Sequence, residues 1–551
     1  MGHTLEKYKG CDIIDLNPGA CLWSQKLHDF LQPRTHVLLE SMPSMYSQFQ
    51  QPLLDQPGST YKLFEGDINP RETFDRLFES GILPHQKRVN PDIPAAQTPN
   101  DTLLVTGSLM WDPPGKGMGF DSIGKQLLAL FNESAWNAQR YHRYGPVRSL
   151  LWMTEDDFKP ALPRSHHTYG KYSFMLNFLG EHVQVVTPGH QPKKSARGSI
   201  ARPPQYQIQS VIRAMQRGRE TGMELPVHRR ENMHDFADDI VRRNLEKGRD
   251  ADARLSTEEI REFLDEQARA GKSASGIDWE QAMMGIQHQM EMEKDAARYR
   301  QVVSKNGRET KSTKRTKEGK QMHERIALVR SGTKKRMACE KMADLAEVMY
   351  NRECEVLAME DGPEKEAAKA QLDKMDADLE EAIACSRHSP FDPMSEVGER
   401  ISMKLGLLQW DRRPYEPLVM QENEVWPAKR VCLIDSEPYA LPPGKSAKWF
   451  DWVLDFVVAL FQNSTASVKR ALDGVQPGAS ALVDEVPSLR DPKKGGRWHM
   501  EHLKAHMLTN EMLSDLTQAY HDWPFKSQHA THSKYFQSKT KGVKITVDKK
   551  G

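Results

Sequence analysis

Three carboxylates, Asp15, Glu40 and Asp67, stand at or just beyond the ends of short apolar runs in the first seventy residues. Asp15 closes Asp12-Ile13-Ile14, and Glu40 closes Val37-Leu38-Leu39. Asp67 follows Tyr61-Lys62-Leu63-Phe64 by way of Glu65-Gly66. Acids at the carboxyl ends of successive parallel strands make the edge at which open α/β sheets bind ligands. Glu40 lies about 20 residues past the Pro18-Gly19 turn, the spacing at which a carboxylate accepts from both hydroxyls of a ribose. The chemistry indicated is recognition of a nucleoside-bearing cofactor. The plainer reading is an ordinary α/β segment, because the turn carries Pro18-Gly19-Ala20-Cys21 where dinucleotide folds carry several glycines.

The elements that must position these acids follow from period and punctuation. Cys11 to Glu40 reads as strand, tight turn, amphipathic helix from Leu22 to Leu31, and strand, the first βαβ unit of a parallel sheet. Helices are expected over Pro43 to Leu54, Arg71 to Ser80 and Ile123 to Arg140. Further strands are expected at Thr102 to Val105, Val147 to Met153 and Val183 to Val186. His85 to Asn100 and Asp112 to Gly119 read as loops, the second at the ligand edge.

Residues 1–190 thus form an α/β domain, and 191–390 a charged, mostly helical and partly disordered insertion. Within the insertion a capping box starts a helix at Leu255-Ser256-Thr257-Glu258-Glu259, and Gln301 to Arg336 reads as a solvated or disordered basic arm. Glu340 to Met359 and Glu364 to Ala384 form a helical hairpin. Residues 391–440 supply strands at Leu405 to Gln409 and Lys429 to Ile434 that complete the sheet. Residues 441–525 form a helical domain with helices over Trp449 to Ala471 and Thr509 to His521 and a loop at Pro477 to Arg497. Residues 526–551 are a basic tail around Tyr535 and Phe536.

At 551 residues the chain exceeds one ordinary core. Its 77 basic and 76 acidic residues balance, so only local patches speak about nucleic acid. Six cysteines without CxxC pairs point to a reducing intracellular compartment and no structural zinc. The longest apolar run, Trp452 to Phe461, is too short to span a bilayer. Met1 to Gly10 is neither Arg-rich nor amphipathic, unlike a mitochondrial presequence.

Asp15-Leu16-Asn17-Pro18-Gly19 followed by Trp23-Ser24-Gln25-Lys26-Leu27, then Leu39-Glu40, Gly66-Asp67 and a loop after the fourth strand, resembles the rRNA adenine dimethyltransferase family. Tyr144 to Met153 and Leu408 to Leu418 extend the match, which is similar to the fungal mitochondrial transcription factor B branch and covers roughly residues 10–190 and 388–525. The resemblance implies a Rossmann-like class I methyltransferase sheet with the long helical insertion and a C-terminal helical domain. It also implies S-adenosylmethionine as cofactor, a mitochondrial location, and a monomer that meets mitochondrial RNA polymerase, promoter DNA or small-subunit rRNA. Family members carry a helical segment before the first strand; its absence implies a shortened N-terminus.

The cofactor set implied by the resemblance is Asp15 with Asn17 and Gly19 at the methionine end, Glu40 at the ribose and Asp67 at the adenine. Cys21, where the family places a glycine, is expected to crowd the cofactor. The catalytic loop implied by the resemblance is Ser108-Leu109-Met110-Trp111, standing where the family has Asn-Leu-Pro-aromatic. In the family the Asn side chain and the Pro carbonyl accept from the adenine amino group, whose nitrogen is otherwise a poor nucleophile, and the aromatic ring stacks on the flipped base. Trp111 can stack, or plug the sheet edge, and the Met110 carbonyl can accept. Ser108 offers no amide oxygen, and Met110 lacks the φ restraint of proline. Weak or absent methylation is therefore expected.

Nucleic-acid contacts are expected from Arg148, Arg412, Arg413, Lys469 and Arg470, with Arg143, Lys193, Lys194, Arg197, Arg202 and the basic tail as further candidates. For each, a solvated or packed side chain is the alternative. An initiation factor that assists promoter melting is the first reading. An active rRNA methyltransferase is the second, and a non-catalytic ribosome-associated protein using the insertion is the third.

Overall fold

In the computed structural model of the chain the described residues are 2–90, 98–111, 115, 120–189, 202–272, 280–305, 308–384, 392–425, 428–446 and 449–526. The sheet begins with β1 (Asp12–Leu16), α1 (Leu22–Leu31), β2 (Thr35–Glu40), α2 (Pro43–Leu54), β3 (Tyr61–Glu65), α3 (Arg71–Glu79) and β4 (Leu103–Ser108). It continues with α4 (Ile123–Trp136), β5 (Ser149–Thr154), α5 (Lys171–Leu179) and β6 (Gly180–Pro188). The runs that form β1, β2 and β4 are buried on both faces, as strands sandwiched between helix layers must be.

The insertion contributes α6 (Pro204–Glu220), α7 (Asn232–Glu246), α8 (Thr257–Arg269), α9 (Glu280–Lys294), a hairpin of β7 (Arg300–Lys305) and β8 (Arg308–Arg315), α10 (Lys317–Ala358) and α11 (Pro363–Ala384). After α12 (Pro393–Leu405) come β9 (Leu418–Met420) and β10 (Val431–Pro438), then α13 (Trp449–Leu460), α14 (Val468–Val475) and α15 (Asn510–Asp522).

The eight strands are ordered β3-β2-β1-β4-β5-β10-β6-β9. The first five run parallel, and β10 lies antiparallel between β5 and β6. This is the Rossmann-like class I methyltransferase sheet, and the strand order reverses between β1 and β4, where such sheets bind ligands. At that seam Gly107 has φ +140, and a Cβ there would stand 2.1 Å from Leu16 O. Only glycine lets β4 close on β1 at this point.

Several expectations give way. Leu405 to Gln409 is not a strand: it ends α12 and begins the helical turn Gln409–Arg412, with Gly406 at φ +61 as the terminator. The short edge strand β9 pairs with β6 instead. The helix expected over Trp449 to Ala471 stops at Leu460 and restarts at Val468 under a Ser467 cap. Pro477 to Arg497 forms short 3-10 turns that bury Leu482, Val483, Leu489 and Arg497.

Within the stretch expected as a basic arm, Arg300–Lys305 and Arg308–Arg315 form the strands β7 and β8, residues 306–307 lie outside the described residues, and the remainder is helical as the first half of the 42-residue α10, whose Thr316 cap accepts from Gly319 N. Its Lys, Arg, Glu, Ala, Met and Leu residues are strong helix formers with no proline among them, so propensity outweighs charge repulsion. The Ser256 and Glu259 capping box opens α8 as its sequence predicts. Residues 112–114, 116–119, 190–201 and 527–551 lie outside the described residues, and with them Lys193, Lys194, Arg197 and most of the basic tail.

Candidate functional site: the rim of the parallel strands

The turn after β1 is built on left-handed backbone at Asn17 (φ 50), Gly19 (φ 55) and Cys21 (φ 56). Asparagine and glycine tolerate that region, whereas a cysteine pays for it in strain. The left-handed twist turns Cys21 inward, fully buried with Leu38, Leu53 and Tyr61, its thiol 3.7 Å from Gly19 O. Burial, and then the Asp15 carboxylate, push that thiol up to about 12. The expected crowding of a cofactor by Cys21 therefore does not arise, because the side chain leaves the rim.

Glu40 ties the rim together. Its Oε2 accepts from Gly19 N and its Oε1 from Met42 N, both at 3.1 Å, and the residue is 2% exposed. One carboxylate thus holds the β1 turn to the start of α2. Glu40 O also accepts from Gly66 N at 2.9 Å, which places Asp67 on the same rim. Asp67 is exposed, with Oδ1 accepting from Asn69 N. Asn17 reaches the other way, donating from Nδ2 to Ser108 O at 3.4 Å. Asn17, Gly19, Glu40, Asp67 and Ser108 are therefore brought to one edge.

Asp15 is different. It is 1% exposed, neither carboxylate oxygen has a hydrogen-bond partner, and Oδ2 lies 3.4 Å from His36 Nε2. His36 in turn meets His28 Nδ1 at 3.0 Å, and both rings stack on Tyr61. Burial, and then His36, hold His28 down at about 4, so the His28 ring is neutral above that pH. Asp15 is thus buried beside His36, not exposed at the rim as Asp67 is.

The loop after β4 closes on itself. Ser108 Oγ accepts from Met110 N at 3.3 Å, Leu109 is buried, and Trp111 packs half-buried against the hydrophobic core that includes Ile14, Leu16 and Val105. The sequence offered no sign of two further rim residues, Tyr46 and Gln50. They sit one helical turn apart on α2: Tyr46 lies 3.6 Å from where a Gly19 Cβ would stand, and Gln50 Nε2 donates to Gly19 O at 3.0 Å. The only available signal was their four-residue spacing beside the glycine turn.

A nucleoside cofactor fits this rim in part. Glu40 keeps one lone pair on each oxygen for ribose hydroxyls, and exposed Asp67 keeps Oδ2 for a base amino group. Asp15 does not fit the role given to it at the methionine end, because its carboxylate points at His36.

The basic candidates separate sharply. Arg148 is buried and doubly paired with Asp435, Nε to Oδ1 at 2.8 Å and Nη2 to Oδ2 at 2.5 Å, and it also binds Thr4 O and Oγ1. It cannot hold phosphate; it pins residues 2–8 and β10 to the sheet. Arg413 is buried over the Trp410 ring at 3.9 Å and donates to Glu416, Ser210 Oγ and Trp410 O. Arg202 is buried on Asp411 at 2.6 and 2.8 Å and on Glu399 at 3.1 Å. Arg413 and Arg202 lock α6 of the insertion to the Trp410–Pro417 segment, a structural role that removes both from any nucleic-acid surface. Arg143 pairs with Asp75. Arg412, Lys469 and Arg470 are exposed.

No protein-family model matches the sequence, and no curated protein does. Among solved structures the chain is similar to a dimethyladenosine transferase from Plasmodium falciparum at 12% identity, with a TM-score of 0.22 over 49% of this chain and 95% of that one. At that TM-score the likeness adds nothing to the strand order, on which the fold assignment stands.

Proposed function

We propose that this protein is a nucleic-acid-binding factor of rRNA adenine dimethyltransferase fold in which methyl transfer is weak or lost. Its role, on this reading, is that of a mitochondrial initiation factor helping a single-subunit mitochondrial RNA polymerase to open promoter DNA. The observation that carries the first part is the loop after β4. Ser108 has a hydroxyl turned onto Met110 N, Trp111 is packed against the core, and no side chain from Ser108 to Trp111 supplies an amide oxygen. An adenine amino group presented there lacks the acceptor that would localise its lone pair. The initiation role and the mitochondrial address rest on the sequence resemblance alone. Arg412, Lys469 and Arg470 are the exposed cations available to a phosphate backbone from the set expected to bind it.

One observation favours the second reading, an S-adenosylmethionine-dependent rRNA adenine methyltransferase. Asn17 sets an amide beside Ser108, and its buried Oδ1 has no partner. That oxygen could replace the one the loop lacks. The experiment that separates the readings is transcription from a closed and a pre-melted promoter by the polymerase with and without this protein, run beside methylation of small-subunit rRNA. The proposal expects stimulation on the closed template with or without cofactor, and little methylation. Equal stimulation on both templates contradicts strand opening. Recovery of ribosomal proteins and no polymerase in a pull-down replaces the reading with a ribosome-associated one.

A further inference from the structure

Side chains from four elements line up behind the β1 turn. The register sets Ile13 of β1 opposite His36 of β2, and His36 opposite Tyr61 of β3. Asp15, two residues past Ile13, projects from the same face. α1 packs on that face through Leu27 and Leu31, which share a core cluster with Ile13, and brings His28 from its last turn. Asp15 Oδ2 lies 3.4 Å from His36 Nε2, and His36 Nδ1 lies 3.0 Å from His28 Nδ1. The Tyr61 ring stacks on both imidazoles, with centroids 4.1 Å from His28 and 4.7 Å from His36. Asp15 and His36 are buried, whereas His28 is half-buried and meets solvent.

Hydrogen counting fixes how this line is occupied. Two Nδ1 atoms at hydrogen-bond distance share one hydrogen, because a pair with none or with two repels. Neither oxygen of Asp15 has a hydrogen-bond partner, and an unpaired buried charge is costly. Two arrangements with neutral rings satisfy the line. In the first, Asp15 is ionised, His36 carries its hydrogen on Nε2 facing it, and His28 carries its own on Nδ1. In the second, Asp15 holds a proton facing His36 Nε2, His36 carries its hydrogen on Nδ1, and His28 on Nε2. The two differ by a single proton. When a proton arrives at His28 Nε2, the His28 Nδ1 hydrogen passes to His36 Nδ1 and the His36 Nε2 hydrogen passes to Asp15 Oδ2.

The other groups packed around the line do not take that proton. His28 holds no charge of its own above about pH 4, so the proton moves inward. Burial, and then Asp29, push the Tyr61 phenol up, and burial, and then Asp15, do the same to the Cys21 thiol, so both stay protonated. Asp29 is exposed on α1, and Glu40 is engaged by Gly19 N and Met42 N. α2, whose Leu53 packs with Tyr61, has no charged residue from Pro43 to Leu54. On β4, Thr106 stands opposite Asp15, but its hydroxyl already accepts from Trp23 Nε1 and donates to Leu150 O.

We infer that His28 and His36 form a proton relay through which the pH of the solvent sets the charge of Asp15. The relay is complete within the chain and needs neither cofactor nor nucleic acid. It makes the start of the β1 turn pH-sensitive, because a full negative charge two residues before Asn17 is present in one arrangement and gone in the other.

The test is nitrogen-15 NMR of the full chain with labelled histidines, titrated from about pH 8 to about pH 4.5. The two rings are assigned from the signals lost in His28→Gln and in His36→Gln. The expected result is a concerted exchange. His28 passes from its Nδ1–H to its Nε2–H form and His36 from Nε2–H to Nδ1–H at one shared midpoint, and neither becomes an imidazolium. The carbon-13 carboxyl shift of Asp15 moves at the same midpoint. Asp15→Asn should abolish the exchange at both rings. His28→Phe keeps a ring on Tyr61 but cuts the relay, and should split the averaged Asp15 carboxyl signal into two slowly exchanging ones. The parent titration decides even where a variant does not fold. The relay is overturned if His28 charges in this range while His36 is unchanged, or if no tautomer change occurs down to about pH 4.5. Persistence of the exchange in Asp15→Asn overturns it as well.

Discussion

Replacing Glu40 separates a carboxylate that builds the rim from one held for a ligand. The structure gives it two backbone donors, Gly19 N and Met42 N, each at 3.1 Å. Hydrogen bonds to charged groups contribute about 1.5–3 kcal/mol each. Gly19 is half-buried and Met42 exposed, so water recovers part of the loss. Glu40→Ala is therefore expected to cost the local fold about 2–4 kcal/mol, and Glu40→Gln, whose one amide oxygen still serves one donor, about half of that. Because a chain of this size has several cooperative units, the measurement is native-state hydrogen exchange on peptides spanning 15–45, not a global unfolding midpoint. At about 1.4 kcal/mol per tenfold, exchange at Gly19 and Met42 should accelerate roughly 30- to 1000-fold in the alanine variant. If Glu40→Ala leaves both amides protected as in the parent, the carboxylate does not hold the rim and the description of the site is wrong.

Arg148→Met strands Asp435 and should destabilise the sheet by about 3–5 kcal/mol while leaving DNA affinity per folded molecule unchanged; a selective loss of affinity would return Arg148 to the binding surface. Glu133 is held up at about 7, first by burial and then by Asp451. Between the ordinary carboxylate value and that pH the folded state keeps a proton the unfolded chain has released, so stability falls as pH rises through this window. Glu133→Gln should flatten that fall and raise the melting temperature at pH 8 but not at pH 4.5, read by thermal scans across the range. Gly107→Ala forces a Cβ onto Leu16 O and should leave little folded protein, as judged by soluble yield and near-ultraviolet circular dichroism. Normal folding of that variant would mean that β4 does not close on β1 as described.

The parallel half of the sheet was legible from sequence because its signals are local. Apolar runs of five or six residues, a Pro-Gly turn and a proline at the start of α2 place Asp12–Leu16, Thr35–Glu40 and Pro43–Leu54 without any knowledge of partners. What local pattern cannot supply is the partner far along the chain. Arg148 meets a carboxylate 287 residues away, and Arg202 one 209 residues away, so each reads as a free cation until the fold pairs it. Asp15 and Glu40 have the right types at the right spacing, yet only the backbone shows that one faces a histidine and the other clamps two amides. Cys21 was misjudged because a left-handed φ redirects a side chain in a way residue type does not disclose. The basic stretch from Lys317 was misread because charge density suggests disorder, while the helix it forms rests on propensity and on the buried side of that same helix, Ile326, Cys339 and Ala343.

The central claim is that the edge of a methyltransferase sheet persists here without the acceptor that makes an adenine amine reactive. Labelled methyl transfer from S-adenosylmethionine to small-subunit rRNA, measured for the parent and for Ser108→Asn, tests it most directly. The account predicts no turnover above background for the parent, and any gain confined to the variant. Multiple turnovers by the parent protein would contradict it.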